Sequence, residues 1–323
     1  MRLRRLFLAV AALVLTLQCE AQAQNYPNRP IRLISPFPAG GGNDVLARII
    51  GAKLADRVGA SIMIENRPGA GAVIGITALA KSAPDGYTLV LSGSTLAVAP
   101  TLYKRPPFDA TKDFAPVALV AHYPFLLVAT ASLPAKTVPE LMKLAKEKPG
   151  EIMYASPGAA TSQHLFTELL KVKTGIELRH IPYNGTAPAV IDIVAGRVAL
   201  MFAAAAPTLP LIKDGSLRAL GVSSAARLAE MPDVPPIADT VPGFDESNWS
   251  IILAPAGTPR NIVNRLHAEL KAVMAMPEVE KQLANIGMIP IISQSPEALA
   301  TFISTEVERW GKIVQQAGIA GTH

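Results

Sequence analysis

Three consecutive glycines, Gly40 to Gly42, stand in the stretch SPFPAGGGNDVLARII, between a strand-like run and an amphipathic helical one. Residues without side chains let the backbone bend freely and come close to another molecule. A helix that opens directly after such a loop presents unpaired N–H groups and the positive end of its dipole. The chemistry on offer is capture of an anion without a basic side chain. A second stretch, SPGAATSQHLF, repeats the plan: Val45, Leu46, Ile49 and Ile50 of the first helix are answered by Leu165, Phe166, Leu169 and Leu170. A third, YNGTAPAVIDIV, opens a helix whose apolar face is Ala189, Val190, Ile193 and Val194, with Thr186 as its expected N-cap. Two such loops facing each other would grip one carboxylate or phosphate from opposite sides. A β-branched side chain at Gly41 is expected to block close approach and to disfavour a positive φ there. The plainer alternative is that the glycines only let strand and helix pack tightly.

Signatures of covalent chemistry are weak. GAGAVIG at 69–75 has one residue too many for a dinucleotide fingerprint and follows ENRP rather than running straight off a strand. There is no P-loop lysine–serine ending and no HExxH, and GVSS at 221–224 lacks the second glycine of a nucleophile elbow. His122, His164, His180, His267 and His323 are scattered. Only His164 and Asp44 stand beside candidate loops. An acid in a helix's first turn ordinarily serves the dipole, and His164 reads as a packed or solvated helix residue. No metal site and no cofactor are expected.

The elements that must position these loops alternate, strand-like runs with helical ones, which is the pattern of an α/β fold with a parallel sheet. IRLISPF, SIMIEN, YTLVLSG, FLLVATA, EIMYAS, ELRHIPY, VALMFA and LRALGVSS read as strands. Helices are expected from Val45 to a stop at Gly59, over 74–81, from the capping box Thr137-Val138-Pro139-Glu140 to Gly150, and over 162–173, 187–195 and 209–214. Three more follow, starting at Pro259, Pro277 and Pro296. A chain of about 300 residues exceeds the usual single core, so two domains are expected.

Arg2, Arg4 and Arg5, the apolar run Leu6 to Leu17, and Ala21-Gln22-Ala23 form a secretory signal over residues 1–23, cleaved after Ala23. The run is too short to span a membrane. Cys19, the only cysteine, lies within it, and Gln18 before it argues against lipid attachment. The rest of the chain therefore has no thiol for a disulfide, for catalysis or for a metal. An exported, cysteine-free chain points to a bacterial periplasm. The net charge of +5 is small and interspersed, which excludes a nucleic-acid footprint, and 5% aromatic residues offer little stacking surface for bases or sugars.

FPAGGGNDVLAR, ENRPGAGAVIG, APDGYTLVLSGS, ASPGAATSQHL, IPYNGTAPAVIDIVAGRV and APAGTP occur in this order. With them the chain, from Tyr26 to Ile319, resembles the periplasmic solute-binding proteins of tripartite tricarboxylate transporters, the Bug or TctC-like family. The resemblance implies a type II periplasmic-binding fold: two α/β lobes, a hinge of two crossovers and a ligand cleft between them. Lobe 1 would comprise 24–125 and 251–323, and lobe 2 would comprise 126–250. In that family a ligand carboxylate is held largely by backbone N–H groups, helped by ordered water. Carried over residue by residue, the first loop is Phe37, Pro38, Ala39, Gly40, Gly41, Gly42 and Asn43. The second contributes Ser156, Gly158, Ala159, Ala160 and Thr161, and the third Tyr183, Gly185 and Thr186. Ser94 and Thr95 would border the pocket, as would Ala203. Two departures stand out: Pro157 removes a donor from the second loop, and Ala203 to Ala206 replace an aspartate and other polar residues, which leans away from amino-acid ligands. The implied function is non-enzymatic: a monomer that carries a small organic carboxylate to the membrane subunits of a transporter. The alternatives are an enzyme on the same fold using Asp44 and His164, or a binder that signals to a receptor.

Overall fold

The computed structural model describes residues 26–323, so the expected signal, Cys19 and the cleavage point at Ala23 lie outside the described residues. The chain builds two sheets. The first has strands β1 (Ile31–Ser35), β2 (Ile62–Asn66), β3 (Thr88–Ser92), β4 (Phe114–Tyr123), β10 (Asn248–Pro255) and β11 (Ile289–Pro290), in the order β11-β4-β10-β3-β1-β2. The second has β5 (Phe125–Thr130), β6 (Met153–Ser156), β7 (Arg179–Pro182), β8 (Leu200–Ala204) and β9 (Leu217–Val222), in the order β7-β6-β8-β5-β9. β1 is parallel to β2 and β3, and β6 to β7 and β8. The expected parallel pairing is present in both sheets, and each also holds antiparallel pairs: β10 with β3 and β4, and β5 with β8 and β9. These antiparallel strands carry the chain into and out of the second lobe.

Both faces of each sheet are buried, which is why the strands read as near-continuous apolar runs. In β5 and β8, Leu127, Ala129, Leu200 and Phe202 face one core while Leu126, Val128, Met201 and Ala203 face another. In β1, Ile31 and Leu33 separate from Ile34 in the same way. The helices covering the first sheet are α1 (Gly42–Val58), α2 (Val73–Ala80), α3 (Thr95–Leu102), α8 (Arg260–Met274), α9 (Pro277–Ala284) and α10 (Pro296–Gln316). Those of the second are α4 (Val138–Glu147), α5 (Ser162–Thr174), α6 (Thr186–Val194) and α7 (Ala205–Lys213). α10 packs on both α3 and α5, with Trp310 stacked over Phe166 at 6.0 Å. One helix thereby ties the lobes together.

Helix ends follow the sequence signals closely. α1 stops at Gly59, which is left-handed (φ 70°). At the start of α4, Thr137 accepts the Glu140 N–H at 3.3 Å, while the Glu140 carboxylate takes the N–H of Lys136 at 2.6 Å. α7 begins at Ala205 rather than 209, because Pro207 sits in its first turn, where a missing N–H costs nothing. The chain crosses between sheets at Pro124 and again over residues 223–247. The Ser223 hydroxyl joins the two crossings: it accepts the Phe125 N–H at 2.9 Å and donates to the Glu246 carbonyl at 2.6 Å.

Candidate functional site

The loops after the carboxyl ends of β1, β3, β6 and β7 open α1, α3, α5 and α6, so four helix N-termini gather where the lobes meet. The first loop is shaped by Asp44, which is 2% exposed. Its carboxylate accepts the Gly40 N–H at 2.9 Å, the Arg48 guanidinium at 2.9 Å and the Asn66 amide at 2.8 Å. Asn66 also donates to the Phe37 carbonyl at 3.1 Å. Burial pushes the Asp44 pKa up, but the hydrogen bonds from Arg48, Gly40 and Asn66 outweigh it and hold the carboxyl below its ordinary value. Asp44 is therefore a structural anion that folds the loop.

This geometry refines the loop's expected roles. Gly40 (φ +80°) makes the turn but spends its N–H on Asp44. Gly41 is extended (φ −76°), so the positive φ expected there sits one residue earlier. The Asn43 side chain turns toward the sheet, accepting from the Ser35 hydroxyl at 2.9 Å and donating to the Leu91 carbonyl at 3.2 Å. The first-turn N–H groups of α1, at Gly42, Asn43 and Asp44, have no acceptor within the helix.

The second loop is almost wholly buried. Thr161 caps α5 as its N-cap residue and donates its hydroxyl to the Gly158 carbonyl at 2.7 Å. The Ser156 hydroxyl accepts the Gly158 N–H at 3.2 Å, and His164 Nδ1 accepts the Ala160 N–H at 3.4 Å. In the third loop Gly185, not Thr186, is the N-cap of α6, and its N–H goes to the Pro157 carbonyl at 3.3 Å. The Tyr183 hydroxyl donates to Asp192 at 2.7 Å. Ala203 is fully buried beside Ala189, Ile193 and Met201, so its methyl group belongs to the lobe's core rather than to the cleft wall. The helix behind it meets the other lobe at Ala206, which packs near Gly287.

The lobes are closed on one another through small residues. A Cβ placed on Gly71 would overlap the carbonyl of Ala159, and one on Gly158 would lie 3.0 Å from Gly71 Cα. One on Gly185 would lie 3.1 Å from Pro38. The Thr95 hydroxyl reaches the Gly71 carbonyl at 2.8 Å and, across the divide, the Ala160 carbonyl at 3.2 Å. Ser162 donates to Asn248, leaving the Ser94 hydroxyl to donate to Ser162 at 2.6 Å. Ser94 and Thr95 are thus inter-lobe contacts. Among the described residues, the alanines at positive φ are Ala70 (47°), Ala72 (85°) and Ala160 (64°), all at this seam. Strained backbone of this kind gathers at clamps and binding sites.

Two seam residues were not among the expected site residues: Gly71, whose GAGA stretch counted only as a weak dinucleotide motif and a family segment, and Asn248, which lies in a strand the sequence did not announce. For Gly71 the run of small residues, GAGA, was the available signal. No lysine or arginine occurs in 36–43, 93–95, 156–162 or 183–186. What the loops offer an anion is backbone N–H and helix dipole. Among the described residues no group of three metal-binding side chains exists, and no helix is long and apolar enough to cross a membrane.

Two α/β lobes joined by paired crossovers, with helix N-termini at the seam, define a periplasmic-binding-protein fold. Residues 46–319 match the model of the tripartite tricarboxylate transporter family receptor, and the chain belongs to that family. It is 36% identical to the protein BugT of Bordetella pertussis, over 98% of this chain and 99% of that one. An R. palustris protein solved with adipate superposes with a TM-score of 0.85 at 35% identity, covering 91% of this chain and 99% of that one. MatC of Rhodopseudomonas palustris, solved with bound malate, gives 0.82 at 30% identity, covering 90% and 100%. The family is one of periplasmic solute-binding proteins rather than enzymes.

Proposed function

We propose that this protein captures a small organic carboxylate between its lobes, through backbone N–H groups of the loops opening α1, α5 and α6. The observation that carries this reading is the meeting of these helix N-termini at one seam whose loops contain no cationic side chain. Dipoles and N–H groups, rather than a cationic side chain, then supply the attraction those loops exert on an anion. The adipate and malate bound by the two structural neighbours support a C4 to C6 organic acid as the ligand class. The protein is exported by its leader, works as a monomer in the periplasm, and hands the acid to the membrane subunits of a tripartite transporter. Asp44 and His164, the residues an enzyme reading would need, are buried and already bonded within the chain, which supports binding over turnover.

Mass spectrometry of small molecules released on denaturing the purified protein, followed by calorimetric titration with adipate, malate and related mono- and dicarboxylates, tests this. Binding of at least one acid, recovered unchanged, is the expected result. A protein that binds none of them, or that converts one, overturns the reading.

A further inference from the structure

Beneath the second loop lies a group of buried polar rings that the ligand reading leaves without a role. The imidazoles of His164 and His180 stack with centroids 4.1 Å apart, and the Tyr154 ring lies beside the pair, 4.9 Å from His180 and 6.3 Å from His164. The two imidazoles serve the two loop residues whose φ is positive, Gly158 (139°) and Ala160 (64°). His180 Nε2 lies 2.6 Å from the Ser156 hydroxyl, which accepts the Gly158 N–H. His164 Nδ1 accepts the Ala160 N–H directly. Ala160 is also the residue whose carbonyl receives the Thr95 hydroxyl from the other lobe. An alanine at this φ stays there only if its surroundings hold it.

We propose that His164, backed by His180, is a positioning residue for lobe closure: its neutral imidazole holds the Ala160 peptide in the left-handed conformation that turns the Ala160 carbonyl toward Thr95. The inference rests on the reading that the lobes close over a carboxylate. To accept at Nδ1 the ring must carry its proton on Nε2, which faces the Glu168 carboxylate at 4.0 Å. Glu168 is in turn held by both bonds from Lys171, at 2.9 and 2.8 Å, and by the Tyr154 hydroxyl. Burial keeps His164 neutral, pulling its pKa down to about 3, with His323 and Lys171 adding to the shift. Packing alone would be satisfied by any side chain of similar shape. An acceptor aimed at a strained N–H is a more specific device.

The test exploits the absence of cysteine beyond the leader. In the exported protein, Met63→Cys and Ile191→Cys place spin labels on exposed sites of the two lobes. Inter-lobe distances and affinities are then measured with adipate, malate and the other acids of the titration panel. His164→Leu removes the acceptor. It is expected to bind about tenfold more weakly and to stay largely open, while His164→Asn, whose amide oxygen falls near Nδ1, stays within about threefold of wild type. A Leu variant that closes and binds like wild type, with only a lower Tm, overturns the proposal, as does an Asn variant as impaired as Leu. If the Leu variant does not fold, Thr95→Val and Thr95→Ser test the same contact from the other lobe. Loss with Val and retention with Ser support it, and no loss with Val overturns it. A wild type that closes on no acid of the panel removes the closure reading itself and this proposal with it. A wild type that closes alongside a closing Leu variant removes only the role of His164.

Discussion

The Asp44 carboxylate accepts the backbone N–H of Gly40 at 2.9 Å, closing the glycine loop on the first turn of its own helix. One buried acid thereby sets the path of the loop that carries the remaining free N–H groups toward the other lobe. Replacing it strands several donors at once.

Asp44→Ala removes the acceptor that the Gly40 N–H, the Asn66 amide and the Arg48 guanidinium share, leaving Asn66 only the Phe37 carbonyl. Stability is expected to fall by about 1–3 kcal/mol, and carboxylate affinity to fall with it. Urea unfolding and calorimetric titration measure the two effects. A stable variant with unchanged affinity would mean that the loop keeps its shape without Asp44.

Gly71→Ala separates folding from closure. Its Cβ would overlap the Ala159 carbonyl, an atom of the opposite lobe's backbone that no rotamer change can move aside. The variant is expected to fold, at a cost of about 1 kcal/mol because φ is +60°, yet not to reach the closed state. Small-angle scattering with saturating adipate or malate, whichever binds wild type, should show contraction in wild type and none in the variant. Equal contraction would place the seam elsewhere.

Two glycines of the opening triplet should respond differently to alanine. Gly40 has open space where a Cβ would go, but its φ of +80° strains any other residue, so Gly40→Ala is expected to cost about 1 kcal/mol. Gly41 is extended, and a Cβ would make an ordinary 3.4 Å contact with the Pro38 carbonyl, so Gly41→Ala should change stability by less than about 0.5 kcal/mol. Thermal melts of the pair decide it, and a reversed order would contradict the loop conformation.

The buried histidines give stability a pH dependence of defined sign. Burial pulls His164 and His180 down to about 3 from the ordinary 6.5; each is pushed lower by its charged surroundings, with Glu168 opposing the shift at His180. Between 6.5 and about 3 the unfolded chain takes up protons that the native state refuses. Stability should therefore decline as pH falls through that window, by up to about 1.4 kcal/mol per pH unit for each histidine. Denaturant titrations from pH 7.5 downward test this, and His164→Asn should flatten the slope. A slope unchanged by that substitution would assign the acid sensitivity to other groups.

Much of the architecture was legible because it rests on local rules. The turn at Gly59, the capping residue Thr137 and the apolar faces of α1 and α5 follow from backbone preference and periodicity within a few residues. Four elements were not recognised: β4, β10, the two-residue β11 and α3. β4 and β10 pair antiparallel with each other, and no alternation of strand and helix announces that pairing. α3 holds Pro100 and a short apolar run, TLAVAPTL, that resembles a loop or a strand as readily as a helix.

By itself, then, the sequence determined where glycine loops meet helix starts, which segments alternate, and that no cation stands in those loops, since each is a property of neighbouring residues. Only the tertiary structure decided which N–H groups remain to be used. Gly40 is satisfied by Asp44, Ala160 by His164 and Gly185 by Pro157. It also decided that Gly71 meets Ala159, and that Ser94 meets Ser162 and, through it, Asn248. The physical reason is competition for hydrogen-bond partners and space. A donor's fate depends on whichever acceptor folding brings within reach, and the seam between two lobes is built from residues far apart along the chain.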